Sequence, residues 1–482
     1  MKTQIIKYTL GLVISIIGFS SCTKSFLEVD PKGKLIAKNI GDYDLLFNNI
    51  TQASLSPSID AQIIMGDEVT SIDPYYTVGG VRELRLFRWD DVIYEPNEDA
   101  VEMSALMKLV YTYNKIITEV PNAKGGTDEQ KMRLIAEAML NRAWIYFYLN
   151  NYYGKPYNSL TAATDLSYPI ITAADVTETS FKRATVQEGY DFMISDLQTA
   201  IANLPIDAAG RTRGTKSAAE GLLGKVYVFM GKYNEGLQQL NNALDHLPSS
   251  FKVRLYDYNV TMTENGPWGY NSAVSPLSFV SGTPLLPDNE ESLLGRQITN
   301  SYGFLSPFAL LTSKAAELFT PSDQRKKFFT SRPYGGAVFP VAGVLRRNGP
   351  IAVQCGLTLP EVYLLRAECK ARTNDVGGAR IDLETLRKNR MSTTEANVSV
   401  TDPTVMIKTI IDERIREFAL QGYRWFDMRR LSVDPIFAGT TYTHSYINAA
   451  GVATVFNLRP DRFVMRFTDK VMLANAGMKN NP

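Results

Sequence analysis

LLGKVYVFMGKYNEGLQQLNNALDHLP, residues 222–248, is the stretch on which the fold turns. Leu223, Gly224, Tyr227, Gly231, Tyr233, Ala243 and Pro248 fall close to tetratricopeptide spacing, with Gly236 where Ala is usual. Small residues at the contact let two antiparallel helices approach, while Tyr and Leu fill the seam. EVYLLRAECKARTNDVGGARIDLETLRKNR, residues 361–390, reads as a second, degenerate copy, and the helix at 128–153 with the helix after it as another. These features describe packing, not ligand contact.

Working outward, the helical pattern continues on both sides. Residues 102–120 place Leu106, Leu109, Val110, Tyr113, Ile116 and Ile117 at helical spacing. Residues 128–153 predict a long helix stopped by Gly154 and Pro156. Its Trp144, Tyr146, Phe147 and Tyr148 read as core. Thr185 and Glu188 form a capping box ahead of a helix that stops at Pro205. Residues 251–350 differ: Pro, Gly, Ser and aromatics are frequent and helical periodicity is weak, as in loop-built functional surfaces. A short helix is expected around 314–319, before Pro321. Helix returns at 405–420 and runs into QGYRWFDMRRL.

The chain opens with an export signal. Lys2 and Lys7 form a basic start, Leu10 to Phe19 an apolar run, and Ser20 and Ser21 the small residues ahead of Cys22. The run is short of the roughly 20 residues that span a bilayer. The arrangement resembles a lipoprotein signal, in which Cys22 is lipidated and becomes the mature N-terminus, with Phe19 where such signals usually have Leu; an uncleaved anchor and a plain secretory signal are the other readings. Residues 1–21 are then the signal, 22–40 an extended tether, and 41–482 a single domain. Formal net charge is +1, which gives no electrostatic case for nucleic acid. Cys355 and Cys369 could pair, although nothing requires it, and Cys369 lies in a helical pattern as a buried thiol.

No catalytic constellation is present in the sequence. His246 and His444 are the only histidines, and neither stands in metal-ligand spacing. No GxSxG, HExxH or phosphate-cradling glycine loop occurs. Asp90 and Asp91 are adjacent carboxylates, which usually diverge, so they make a poor acid–base pair. The expectation is a binding protein, not an enzyme, with no cofactor and no metal. A binding site carried on loops would use aromatic rings and polar side chains. The candidate ligand residues are Tyr75, Tyr76, Trp89, Trp268, Tyr270 and Tyr302, with Asp67 and Arg85 as polar partners and Trp268 and Trp89 as the main anchors.

In order along the chain stand the signal ending at Cys22, GDEVTSI (66–72), RWDDVIYEPNE (88–98), AEAMLNRAWIYFYLNNYYGKP (136–156), KSAAEGLLGKVYVFMGKYNEGLQQL (216–240), LPEVYLLRAECKAR (359–372) and IIDERIREFALQGYRWFDMRRL (410–431). This ordered set resembles the SusD/RagB family of outer-membrane nutrient-binding lipoproteins. The tail RFVMRFTDKVMLANAGMKNNP keeps an Asn-rich end but lacks the proline step usual in the family. The resemblance implies a mostly α, SusD-like fold: four tetratricopeptide-like helix pairs with an irregular ligand-binding side. It divides the domain into an N-terminal part of about 41–240 and a C-terminal part of about 280–482. It also implies a lid on a SusC-like TonB-dependent transporter, facing the cell exterior, that passes on an oligosaccharide or polysaccharide. It places a ligand-side tryptophan region near Trp89. Arg416, Glu417, Arg424, Trp425, Phe426 and Asp427 are expected to form a structural corner. Two other readings remain: the same lid with peptide cargo, or an adaptor whose ligand-facing residues lie on helices 186–204 and 221–244.

Overall fold

The computed structural model describes residues 37–55, 59–269, 282–300, 302, 307–333 and 336–482. Cys22 and its signal, and Tyr270, lie outside the described residues. We number the helices of eight residues or more. They are α1 (Ile40–Phe47), α2 (Val81–Arg88), α3 (Val101–Glu119), α4 (Asp128–Tyr153), α5 (Val186–Asn203), α6 (Lys216–Phe229), α7 (Tyr233–Asp245), α8 (Leu359–Arg372), α9 (Val376–Lys388), α10 (Pro403–Glu417) and α11 (Tyr423–Leu431). From α3 to α9 each helix packs on the next, and α10 packs back on α8, which makes a helical-repeat stack.

Local chemistry sets these boundaries. Thr185 Oγ1 accepts from the Glu188 amide (3.1 Å) and Glu188 Oε2 from the Thr185 amide (2.7 Å), so α5 starts at the expected capping box. Thr127 and Gln130 do the same for α4. In the deciding segment, a Cβ on Gly224 would lie 2.7 Å from Leu240 Cγ, and one on Gly236 would lie 3.2 Å from Val228 Cγ2. Both glycines therefore allow the close approach of α6 and α7. The expected 314–319 helix is shorter, Ser313–Ala316, and Thr312 caps it.

The core runs along α4. Trp144, Tyr146, Phe147 and Tyr148 are all buried, each such ring being worth roughly 1.5–3 kcal/mol of burial. Their polar atoms are satisfied: Trp144 Nε1 and Tyr148 Oη both donate to the Cys355 carbonyl, at 3.0 and 2.8 Å. Cys355 and Cys369 are both free and buried, so they do not pair.

The corner at α8, α10 and α11 is built from buried ions. Arg430 meets both oxygens of Glu368 at 2.7 Å and Asp427 at 2.8 Å, and Arg414 meets Asp427 at 2.7 Å. Burial raises Glu368, but Arg430 and Arg372 outweigh it and hold the carboxyl at about 2. Phe426 packs edge-on against Phe147 and Tyr148. Between α10 and α11 the chain turns through Gly422 at φ +87°, where a Cβ would lie 2.4 Å from Gln62 Cγ.

The irregular 251–350 region and the chain end build the other side. One four-stranded sheet joins β1 (Val69–Ile72), β2 (Leu310–Leu311), β3 (Thr443–Ile447) and β4 (Ala453–Asn457) in the order β4-β3-β1-β2. β1 runs parallel to β3, with Ser71 opposite Tyr446, and antiparallel to β2, with Val69 opposite Leu311. Short antiparallel ribbons pair Gln297–Thr299 with Ala352–Gln354 and Phe329–Thr330 with Arg346–Arg347.

Candidate functional site

The sequence GDEV carries the chain into β1, and the sheet pins its neighbours. Thr70 Oγ1 donates to the Ser445 carbonyl (2.6 Å), and the Thr312 amide donates to the Glu68 carbonyl (2.8 Å). One outer side of α10, the start of α11, the Ser313–Ala316 turn and β3 close around this point. Together they leave a cleft of about 600 Å³, within the usual range for a small-ligand pocket.

The cleft is ionic at its centre. Arg424 grips Asp67 with two parallel bonds, Nε to Oδ1 at 2.5 Å and Nη2 to Oδ2 at 3.0 Å. Burial raises Asp67, and the Arg424 charge more than offsets this, holding the carboxyl below its ordinary range. Tyr442 lies under the Arg424 guanidinium, 5.7 Å from ring centre to charge. Beside this pair Glu68 is buried, and neither of its oxygens has a hydrogen-bond partner among the described residues. Burial, reinforced by the Asp67 charge, pushes its carboxyl up to about 8. The Arg424 charge opposes the shift but does not cancel it. Burial therefore keeps the proton on Glu68 to a higher pH than on an ordinary glutamate. Lys314, Lys408 and Asp412 are exposed on the cleft lining.

Of the sequence candidates, Asp67 lies in this cleft. Tyr75 is half-buried edge-on against Phe339, in a small cluster with Val341, Val344 and Ile447, which line the cleft. Tyr76 stacks on Tyr446 at 3.9 Å, and neither residue lines the cleft. Arg85 is engaged elsewhere, paired with Glu95 at 2.7 Å.

Three aromatic expectations are corrected. Trp89 is not an open loop ring: it is buried at the left-handed cap of α2, stacks on His444 at 3.8 Å and donates Nε1–H to the Met65 carbonyl. Trp268 is buried within Tyr256, Tyr258 and Phe328, with ring centres at 5.1, 5.0 and 6.4 Å. Tyr302 is buried, and its hydroxyl accepts from Arg82 at 3.3 Å. Each makes packing contacts that leave little ring face for a sugar. Sequence reasoning did not single out Glu68, Lys314, Lys408 or Tyr442. The only signal was the adjacency of Glu68 to Asp67, and Arg424 stood out only as a corner residue.

A second, smaller cavity of about 90 Å³ lies at Trp268, near the opposite end of the α10–α11 turn. Among the described residues no group of three or more His, Cys, Asp or Glu side chains could hold a metal ion, and no helix is long and apolar enough to cross a membrane.

A helical-repeat stack carrying a polar cleft on its irregular side defines a binding protein of the tetratricopeptide-like class. A family model described as starch-binding associating with outer membrane matches residues 83–228, and the SusD family model matches residues 359–476. The chain belongs to the SusD/RagB family. It is similar to SusD-like protein P2 of Formosa agariphila, 22% identical over 89% of this chain and 91% of that one. A SusD superfamily protein from Bacteroides vulgatus shares the fold with a TM-score of 0.70 at 19% identity, covering 92% of this chain and 99% of that one. A laminarin-binding SusD-like protein does so at 0.61 and 16% identity, again over 92% and 99%.

Proposed function

We propose that the protein binds an oligosaccharide or polysaccharide in the 600 Å³ cleft and turns none of it over. In this reading it is an outer-membrane lipoprotein, anchored through lipidated Cys22 and facing the exterior, that passes its glycan to a SusC-like TonB-dependent transporter. The cleft carries the reading. Its Asp67–Arg424 pair and its exposed Lys314, Lys408 and Asp412 match the mixed donors and acceptors of sugar hydroxyls, with apolar Val341, Val344 and Ile447 alongside. The laminarin-binding relative and the starch-binding family description support a glycan over a peptide.

The test is calorimetry of the mature domain against laminarin, starch oligosaccharides and an unrelated peptide pool. Asp67→Asn weakens the Arg424 clamp and is expected to reduce affinity for the best glycan about tenfold, the scale of one charge-assisted hydrogen bond. Chromatography of the same mixtures is expected to show no new reducing ends. Peptide binding with no glycan binding would replace the cargo. Undiminished glycan binding by Asp67→Asn would move the site elsewhere.

A further inference from the structure

Arg347 is a buried cation with little in the fold to balance it. It is buried, 5% exposed, on the strand pair beside the small cavity, where rings of Phe328 and Phe329 lie 5.5 and 5.7 Å from its charge. Its Nη1 donates to the Ala419 carbonyl at 3.2 Å, while its Nε–H has no acceptor among the described residues. Its neighbours are differently placed. Arg325, Arg387, Arg390 and Arg416 form one connected lattice with Asp323, Glu291, Glu413 and Glu417, four cations against four carboxylates. Arg347 forms no ion pair with that lattice. Burial pushes its guanidinium down to about 10, with the Tyr258 and Glu417 charges opposing. Other arginines are also buried without a carboxylate, Arg429 among them, but Arg347 lines a cavity.

A buried cation without a counter-ion costs folding free energy unless something pairs with it. The cavity it lines is also walled by Arg325, Arg416, Glu291 and Glu417 of that lattice, so three guanidiniums face two carboxylates there and one positive charge is left over. At about 90 Å³ it is far below the 300–1,000 Å³ of a whole-ligand pocket, yet several times the roughly 10–15 Å³ that one water occupies on the same measure. It fits a substituent, not a sugar ring. A planar carboxylate matches a guanidinium fork edge to edge.

We propose that Arg347 and this cavity form a second subsite that takes the carboxylate of an acidic sugar, with the sugar ring remaining outside the cavity. The occupant as a whole, a uronate-bearing glycan, rests on the glycan reading above. Capture of the carboxylate does not, and it is tested by itself.

The probe is D-glucuronate, with D-glucose as the neutral control, on the mature chain. Calorimetry and thermal melts are expected to show glucuronate binding and raising Tm where glucose at equal concentration does less. In Arg347→Met that difference is expected to disappear, a loss of at least about tenfold in glucuronate affinity, while the unliganded Tm stays level or rises because an unpaired buried charge has gone. The double variant Lys314→Ala/Lys408→Ala is expected to keep the preference for glucuronate. Loss of the preference there, but not in Arg347→Met, would place the acid in the main cleft and overturn the subsite. Should Arg347→Met fail to fold, a crystal of the wild-type chain grown with glucuronate decides: a carboxylate beside Arg347 supports the proposal, and glucuronate elsewhere or absent refutes it. Failure of the main glycan reading would appear separately, as unchanged laminarin or starch binding in Asp67→Asn.

Discussion

Replacing Glu68 with Gln keeps the shape of the side chain and removes its titration, which isolates the most strained acid of the cleft. In the folded chain the carboxyl sits at about 8, against 4.5 for an ordinary glutamate. Between those values the unfolded chain has released the proton and the folded chain still holds it. Stability of the wild type therefore falls as pH rises through this window, by at most about 1.4 kcal/mol per pH unit. Below pH 4.5 both states are protonated and the group contributes no slope. Above pH 8 the folded state is ionised as well, and the loss stops growing. The accumulated cost reaches at most ~5 kcal/mol at pH 8. Glu68→Gln is free of it. Urea unfolding of the two proteins at pH 5, 6.5 and 8 is expected to show the variant gaining relative to wild type, from under about 1 kcal/mol at pH 5 to about 3–5 kcal/mol at pH 8. Other titrating groups are common to both chains and cancel in the difference. A gap that stays constant across the three pH values would refute a Glu68 that keeps its proton to higher pH.

Gly422→Ala is expected to cost about 2–4 kcal/mol in urea unfolding, because the turn needs φ +87° and the new methyl would meet Gln62. An unchanged midpoint would mean the α10–α11 turn can be redrawn. Trp89→Ala is expected to lower Tm and to cost ~3–5 kcal/mol by emptying the space against His444; a variant that melts normally yet loses glycan would restore Trp89 as a ligand ring.

What the sequence disclosed and what it hid follow from range. The helix stack was legible because its determinants are local: Gly224, Gly236 and Leu240 lie within one helix pair, and Thr185 caps three residues ahead of Glu188. The aromatics misled for the same reason in reverse. Trp89 follows a short helix and looks like loop, but the ring that covers it is His444, near the other end of the chain. Trp268 sits in a Gly- and Pro-rich run, yet Tyr256, Tyr258 and Phe328 enclose it. Composition around a residue reports its own backbone, whereas burial is decided by what returns to it. The cleft is the extreme case, since Asp67 acquires its role only when Arg424 arrives from α11.

That meeting also changes the meaning of the signature near the end of the chain. Reading Arg416, Glu417 and Arg424–Asp427 as a corner accounts for Asp427 and Phe426, which with Arg430 hold α11 to the body. It does not account for the rest. Ile415 and Arg424 line the large cleft, while Phe418, Gln421 and Tyr423 line the small cavity. One tight turn at Gly422 thus supplies a wall to each, fixed on the core by buried ion pairs that need water excluded to be strong. A segment can then be rigid for packing and exposed for binding at once, because alternate residues around the turn face different spaces. Substitutions within it should accordingly separate by side chain: those at Arg414, Asp427 and Arg430 move Tm, and those at Arg424, whose pair with Asp67 faces the cleft, also move affinity for the cleft's ligand.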